Sequence, residues 1–90
     1  MTWRILLSSK AERDLRRLPK SDAQRIKGEL DDLAEEPLLR EYVKKLKGRR
    51  SVPLYSYRVG RYRIILAIED DVMVIFVIEV GDRSTVYRTY

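Results

Sequence analysis

The chain contains no cysteine and no histidine. Without cysteine there are no disulfides and no thiolate metal sites, and nothing calls for an oxidising compartment. Without histidine the usual zinc ligands are missing, as are the Ser-His and Cys-His nucleophile systems and any side chain whose ordinary pKa lies near neutrality. Chemistry must therefore run on Arg, Lys, Tyr, Ser and carboxylates. Long apolar runs are missing too: the longest, Val72 to Ile78, is too short for the roughly 20 residues that cross a bilayer as a helix. The N-terminal stretch has too short an apolar core for a secretory signal, and its first charge, Arg4, sits inside that stretch. The expectation is a soluble, cytoplasmic protein with no membrane partner.

What is present fits one compact domain, residues 1–90, since folded domains run from about 50 to 250 residues. Hydrophobic residues make up 44% of the chain, enough for a small core that a binding partner would stabilise further. The net charge of +5 favours polyanionic partners through counterion release. Its distribution says more than its size. From Arg40 to Arg63 the basic residues are Arg40, Lys44, Lys45, Lys47, Arg49, Arg50, Arg58, Arg61 and Arg63, against the single acid Glu41.

Hydrophobic periodicity divides the chain in two. Trp3 to Leu7 predicts a first strand. Ser9 with Glu12 has capping-box spacing, and Ala11, Leu15 and Leu18 recur at helical intervals until Pro19. Ser21 with Gln24 repeats that spacing, and Ala23, Ile26, Leu30, Leu33 and Ala34 draw a second apolar stripe that Pro37 ends. These stripes are expected in the core of a helical hairpin. Leu38 to Pro53 has no clear period and predicts a loop with one short strand or turn. Three strands follow, Leu54–Val59, Tyr62–Ile68 and Val72–Val80. The last is apolar on both faces over Val72–Ile78, which predicts a central strand. The fold class is α+β: an N-terminal strand and helical hairpin on one face of a mostly antiparallel sheet, whose opposite face is exposed and partly polar.

Three segments then line up in order: Lys45-Leu46-Lys47-Gly48, the run from Tyr55 to Ile65 with sequence YSYRVGRYRII, and Val80-Gly81-Asp82-Arg83 continuing to Val86-Tyr87-Arg88. Together with the strand and hairpin before them, they resemble the RelE branch of the RelE/ParE toxins. The resemblance spans essentially the whole chain and rests on the combined spacing of the three segments. It implies a ribosome-dependent endoribonuclease that cuts messenger RNA in the decoding site and is held inactive by a cognate antitoxin. It also implies attack of a ribose 2′-hydroxyl on the adjacent phosphate, leaving a cyclic phosphate and a free 5′-hydroxyl, a route that requires no metal or other cofactor.

By motif, Arg63 matches the family arginine that follows the strand tyrosine, Arg83 the arginine two positions after the late glycine, and Tyr87 the tyrosine near the C-terminus. Arg58 stands where some members have lysine. Ser56 stands at another position where lysine is found, and Asp82 where many relatives have histidine or lysine.

Phosphoryl transfer builds negative charge on phosphate oxygens, and a preorganised guanidinium stabilises that charge more in the transition state than in the ground state. A permanently charged planar fork makes arginine a good clamp and a poor proton acceptor. Arg63 and Arg83 are the candidate phosphate clamps, with Arg58 holding the backbone. Tyr87 is a candidate for stacking on a base, or for acid–base work should nearby cations lower its pKa from about 10. Lys44, Lys45, Lys47, Arg49 and Arg50 are candidates for gripping RNA phosphates, and Lys47 for a base if the surrounding cations depress it. A solvated strand or loop residue is the alternative for each cation, and packing against a sheet edge for Tyr87. At the level of the whole protein, the alternatives are a ParE-like inhibitor of DNA gyrase and an inactive relative that only binds antitoxin.

Overall fold

The computed structural model describes residues 2–47 and 51–82. Their elements are β1 (Arg4–Leu7), α1 (Ser9–Arg16), α2 (Lys20–Ala34), a 3-10 turn (Leu39–Tyr42), β2 (Lys44–Lys45), β3 (Tyr55–Val59), β4 (Tyr62–Glu69) and β5 (Val74–Asp82). The strands form one sheet in the order β1-β5-β4-β3-β2. β1 runs parallel to β5 and every other pairing is antiparallel. This is the expected α+β arrangement, with the first strand returning beside the meander.

The helix starts differ from the capping pattern. Ser8, not Ser9, is the N-cap of α1: its backbone is extended, at φ −70° and ψ 163°, and its hydroxyl accepts from the Ala11 N–H. α2 starts ahead of Ser21, with Pro19 as the cap and its carbonyl receiving the Ala23 N–H. A proline's fixed φ suits a helix start, so Ser21 falls inside the first turn and makes no side-chain cap. The turn Leu39–Tyr42 was not expected as a separate element, whereas β2 is the short strand anticipated there.

The core lies between the helices and one face of the sheet. Ala11 and Leu15 of α1 and Ile26, Leu30 and Leu33 of α2 meet Tyr62, Ile64 and Leu66 of β4 and Ile75, Val77 and Val80 of β5. Each fully buried Leu or Ile contributes about 1.5–3 kcal/mol of hydrophobic stabilisation. Tyr55 and Tyr57 pack against the same cluster.

β5 is central, as expected, with β1 on one side and β4 on the other, and β4, the middle of the five strands, is buried from Tyr62 to Ala67 on both faces. Ile65 and Ala67 point away from the helices into a second cluster with Leu54, flanked by Leu46 and Ile78. β5 also starts later than its apolar run suggests. Met73 has φ +52° and closes a turn through its N–H to the Asp70 carbonyl, so regular strand geometry begins at Val74. Gly60, at φ +57°, provides the left-handed residue in the two-residue turn between β3 and β4.

Candidate nucleic-acid interface

Side chains alternate across a strand, and directly paired residues share a face. Since Tyr55, Tyr57 and Val59 face the helices, Ser56 and Arg58 point to the open face. The ladder then sets Arg58 opposite Arg63, and Arg63 opposite Gly81. One step along, Lys44 pairs with Ser56, Ser56 with Ile65, and Ile65 with Glu79. The fold thus gathers Lys44, Arg58 and Arg63 into adjacent rows at one end of the open face.

Their environments differ. Arg58 and Lys44 are exposed, whereas Arg63 is only 3% exposed and Ser56 only 7%. Arg63 therefore leaves the helix-packed face, as its alternation with Tyr62 and Ile64 requires, but it is held within the structure rather than waving in solvent. Lys45 pairs with Tyr55 and so falls on the helix side of the sheet, away from Lys44. Lys47 is exposed just beyond β2. Arg83, Tyr87, Arg49 and Arg50 lie outside the described residues.

Two other arginines of the basic stretch are engaged elsewhere. Arg40 holds Asp70 through two hydrogen bonds of 2.9 and 2.6 Å and lies over the Tyr55 ring, 5.7 Å from its centroid. The Arg40 guanidinium keeps the Asp70 carboxyl below its ordinary value. Arg61 is 3.8 Å from Asp82 and covers the Tyr62 ring at 5.3 Å. The tyrosines on the helix side are also committed. Tyr62 donates to Asp22 at 2.6 Å, and this bond, together with burial, raises its phenol pKa. Tyr57 donates to the Glu29 carbonyl at 3.3 Å, and its phenol is likewise raised, chiefly by burial. Neither phenol is suited to accept a proton near neutral pH.

The other end of the open face is apolar. Leu6, Val52, Leu54, Val74, Phe76 and Ile78 line a groove of about 470 Å³. Leu6, Val52 and Phe76 are among its exposed members. The arginine rows and the groove share one sheet surface, so a ligand crossing it would meet paired cations first and aliphatic side chains next.

Sequence reasoning missed the device that fixes the arginine end. Ile78 interrupts the β4–β5 register: Leu66 pairs with Val77, but Ile65 pairs with Glu79. This bulge meets α1 through two side chains, Ser8 and Asp14. The Ser8–Ser9 pair at the end of β1 was a visible signal for a cap. A cap hydroxyl that also reaches β5 had no local signature.

Two helices over one face of this five-stranded sheet form a scaffold that matches solved RelE-type toxins. A RelBE toxin-antitoxin complex from Mycobacterium tuberculosis matches with a TM-score of 0.80 and 26% identity, covering 93% of this chain and 94% of that one. An archaeal RelE-RelB complex from Pyrococcus horikoshii matches with a TM-score of 0.74 and 33% identity, covering 92% and 97%. In sequence, Toxin RelG of Mycobacterium tuberculosis is 30% identical over 89 residues, which is 98% of this chain and 99% of that protein. A family model for the ParE toxin of type II toxin-antitoxin systems, parDE, matches residues 5–87. The chain belongs to the RelE/ParE superfamily and is a toxin of the type II toxin-antitoxin class. No helix among the described residues is long and apolar enough to cross a membrane.

Proposed function

We propose that this toxin is a ribosome-dependent messenger RNA endonuclease, acting in the cytoplasm to inhibit translation and silenced by a cognate antitoxin. The observation that carries this reading is the direct pairing of Arg58 with Arg63 on the face away from the helices, with Lys44 in the adjacent row. Lys44, Arg58 and Arg63, with Glu79 the acid in the neighbouring row, leave this end of the face net positive, the charge that a polyanion lying across it would match. Arg63 is the proposed phosphate clamp; it is 3% exposed in the free chain, so its guanidinium has to be uncovered as the messenger binds before it can act as a preorganised donor. Arg58 holds the adjoining backbone, and Arg83 brings a second fork to the scissile phosphate. The ribose 2′-hydroxyl attacks phosphorus, the P–O5′ bond breaks, and the products are a 2′,3′-cyclic phosphate and a free 5′-hydroxyl. Tyr87 stacks on the neighbouring base. Lys44, Lys47, Arg49 and Arg50 add non-specific grip on ribosomal RNA through counterion release, with Lys45 reaching RNA only from the other side of the sheet. The toxin-antitoxin complexes among the related structures support the antitoxin as a partner.

The test is expression without antitoxin, followed by sequencing of RNA 5′ ends on translating ribosomes, for the wild type and for Arg83→Ala. New ends that vanish in the folded variant support the reading; equal cutting by both removes the clamp. A second reading, inhibition of DNA gyrase, is favoured by the ParE family model. Gyrase poisoning by the purified protein with messenger ends intact would replace the nuclease with that activity. If messengers and gyrase are both untouched while antitoxin still binds, the protein is an inactive relative, consistent with Ser56 and Asp82 standing where relatives carry lysine or histidine.

A further inference from the structure

We infer that Ser8 and Asp14 of α1 are positioning residues for the cationic end of the sheet, acting through the β5 bulge. The inference rests on the nucleic-acid reading of that end. From Val74 to Val77, β5 pairs with β4 in one phase, and from Glu79 to Asp82 in another, with Ile78 as the extra residue. Continuing the first phase would set Ile64 opposite Glu79 and Arg63 opposite Val80. A carboxylate would then point into the helix-packed core, and an isopropyl group would crowd the guanidinium. The shift instead sends Val80 into the core, leaves Glu79 beside Ile65 on the open face, and sets Gly81, with no side chain, opposite Arg63.

The hydrophobic pattern selects this phase, but a bulge leaves backbone groups without ladder partners. β1 ends at Leu7, and the Ser8 N–H gives the last edge bond, to the Val77 carbonyl at 2.9 Å. From there α1 takes over as the edge. The Ser8 hydroxyl donates to the Ile78 carbonyl at 2.7 Å while accepting the Ala11 N–H at 2.9 Å, so one oxygen caps the helix and ties it to the bulge. Two turns along, the Asp14 carboxylate accepts the Val80 N–H at 3.0 Å. Lys10 steadies that carboxylate at 3.2 Å and reaches Glu79 at 3.4 Å. Asp14 and Glu79 are 14% and 12% exposed, so these bonds face limited competition from water. A helix packed on one face thereby fixes the aim of Val80–Asp82, the arm that borders Arg63 and runs on to Arg83.

The test compares Asp14→Ala, Asp14→Asn, Lys10→Ala and Ser8→Gly, the last chosen because glycine is a tolerated N-cap. Three quantities are read for each: hydrogen exchange of the Val80 amide, messenger cleavage at saturating ribosome, and ribosome affinity. Asp14→Ala is expected to speed Val80 exchange at least 10-fold, leave Ile64 and Ile75 protected, and cut maximal cleavage at least 10-fold at unchanged affinity. Asp14→Asn, which keeps an acceptor oxygen, restores both to within about 3-fold, and Lys10→Ala leaves cleavage within the same range. Ser8→Gly lowers cleavage without speeding global exchange. Wild-type cleavage by Asp14→Ala despite an unprotected Val80 overturns the inference. So does unchanged Val80 protection, or a failure of asparagine to rescue. A wild type that cuts no messenger removes the nuclease reading, and the anchor is then judged on the exchange measurements alone.

Discussion

Replacing Arg58 by glutamine should make the protein more stable and less active. Arg58 and Arg63 are direct partners on one face of the β3–β4 ladder, where paired Cβ atoms lie about 4.5–5.5 Å apart. Two like unit charges set about 6 Å apart would repel by about 0.7 kcal/mol in bulk water and about 2.8 kcal/mol at an effective dielectric near 20. Arg58 is exposed, which places the pair near the lower figure. Glutamine keeps most of the aliphatic stem, so the variant should gain about 0.5–1 kcal/mol, or about 2–8 °C in melting temperature for a domain of this size. The gain should be clear at low ionic strength and largely gone in 1 M salt, where the Debye length is about 3 Å. Activity should move the other way. One charge-assisted phosphate contact is worth about 1.5–3 kcal/mol, so messenger cleavage should fall about 10- to 150-fold. Thermal unfolding at two salt concentrations and cleavage on translating ribosomes measure both sides. A lower melting temperature, a gain that persists in 1 M salt, or full cleavage by the variant would refute the view that this pair is maintained for a polyanion.

Two further outcomes test the scaffold. Leu30 is 2% exposed beneath α2, so Leu30→Ala should cost about 2–5 kcal/mol, read as a lower urea midpoint with an unchanged slope. Asp70 is bound by Arg40 and titrates below its ordinary 3.8, so its stabilising contribution is present above that pH and fades as the pH falls through the lower folded value. Asp70→Asn should therefore melt slightly below the wild type at pH 6, with the gap closing as the pH drops below 3.8. A gap that widens in acid would show that the pair does not act through this carboxylate.

The periodicities of 3.6 and 2 sufficed for the two helices, the meander and the core stripe of Leu15, Ile26, Leu30 and Leu33, because those patterns record which face each element buries. Strand alternation also sets Arg58 and Arg63 on the open face, since residues alternating with Tyr57, Tyr62 and Ile64 have nowhere else to go. The helix caps fall one position earlier than expected at Ser8, where two adjacent serines competed, and two positions earlier at Pro19, whose fixed φ suits a helix start. The apolar run of β5 predicted a central strand, and β1 and β4 flank it on either side; the burial of β4 on both faces was not legible, because Leu46 and Leu54, which cover it from the open side, come from other segments.

Composition alone removed thiol, imidazole and membrane-spanning helical chemistry, and local order alone set the strands, the helices and the one-signed basic stretch. Only the tertiary structure decided that Arg63 is buried, that Lys44 and Lys45 part company across the sheet, and that Ile78 bulges so that Gly81 meets Arg63. The reason is range. A periodic pattern reports on neighbours a few residues apart, whereas the partners of Arg63 and Val80 come from strands and a helix distant along the chain, and nothing but folding brings them together.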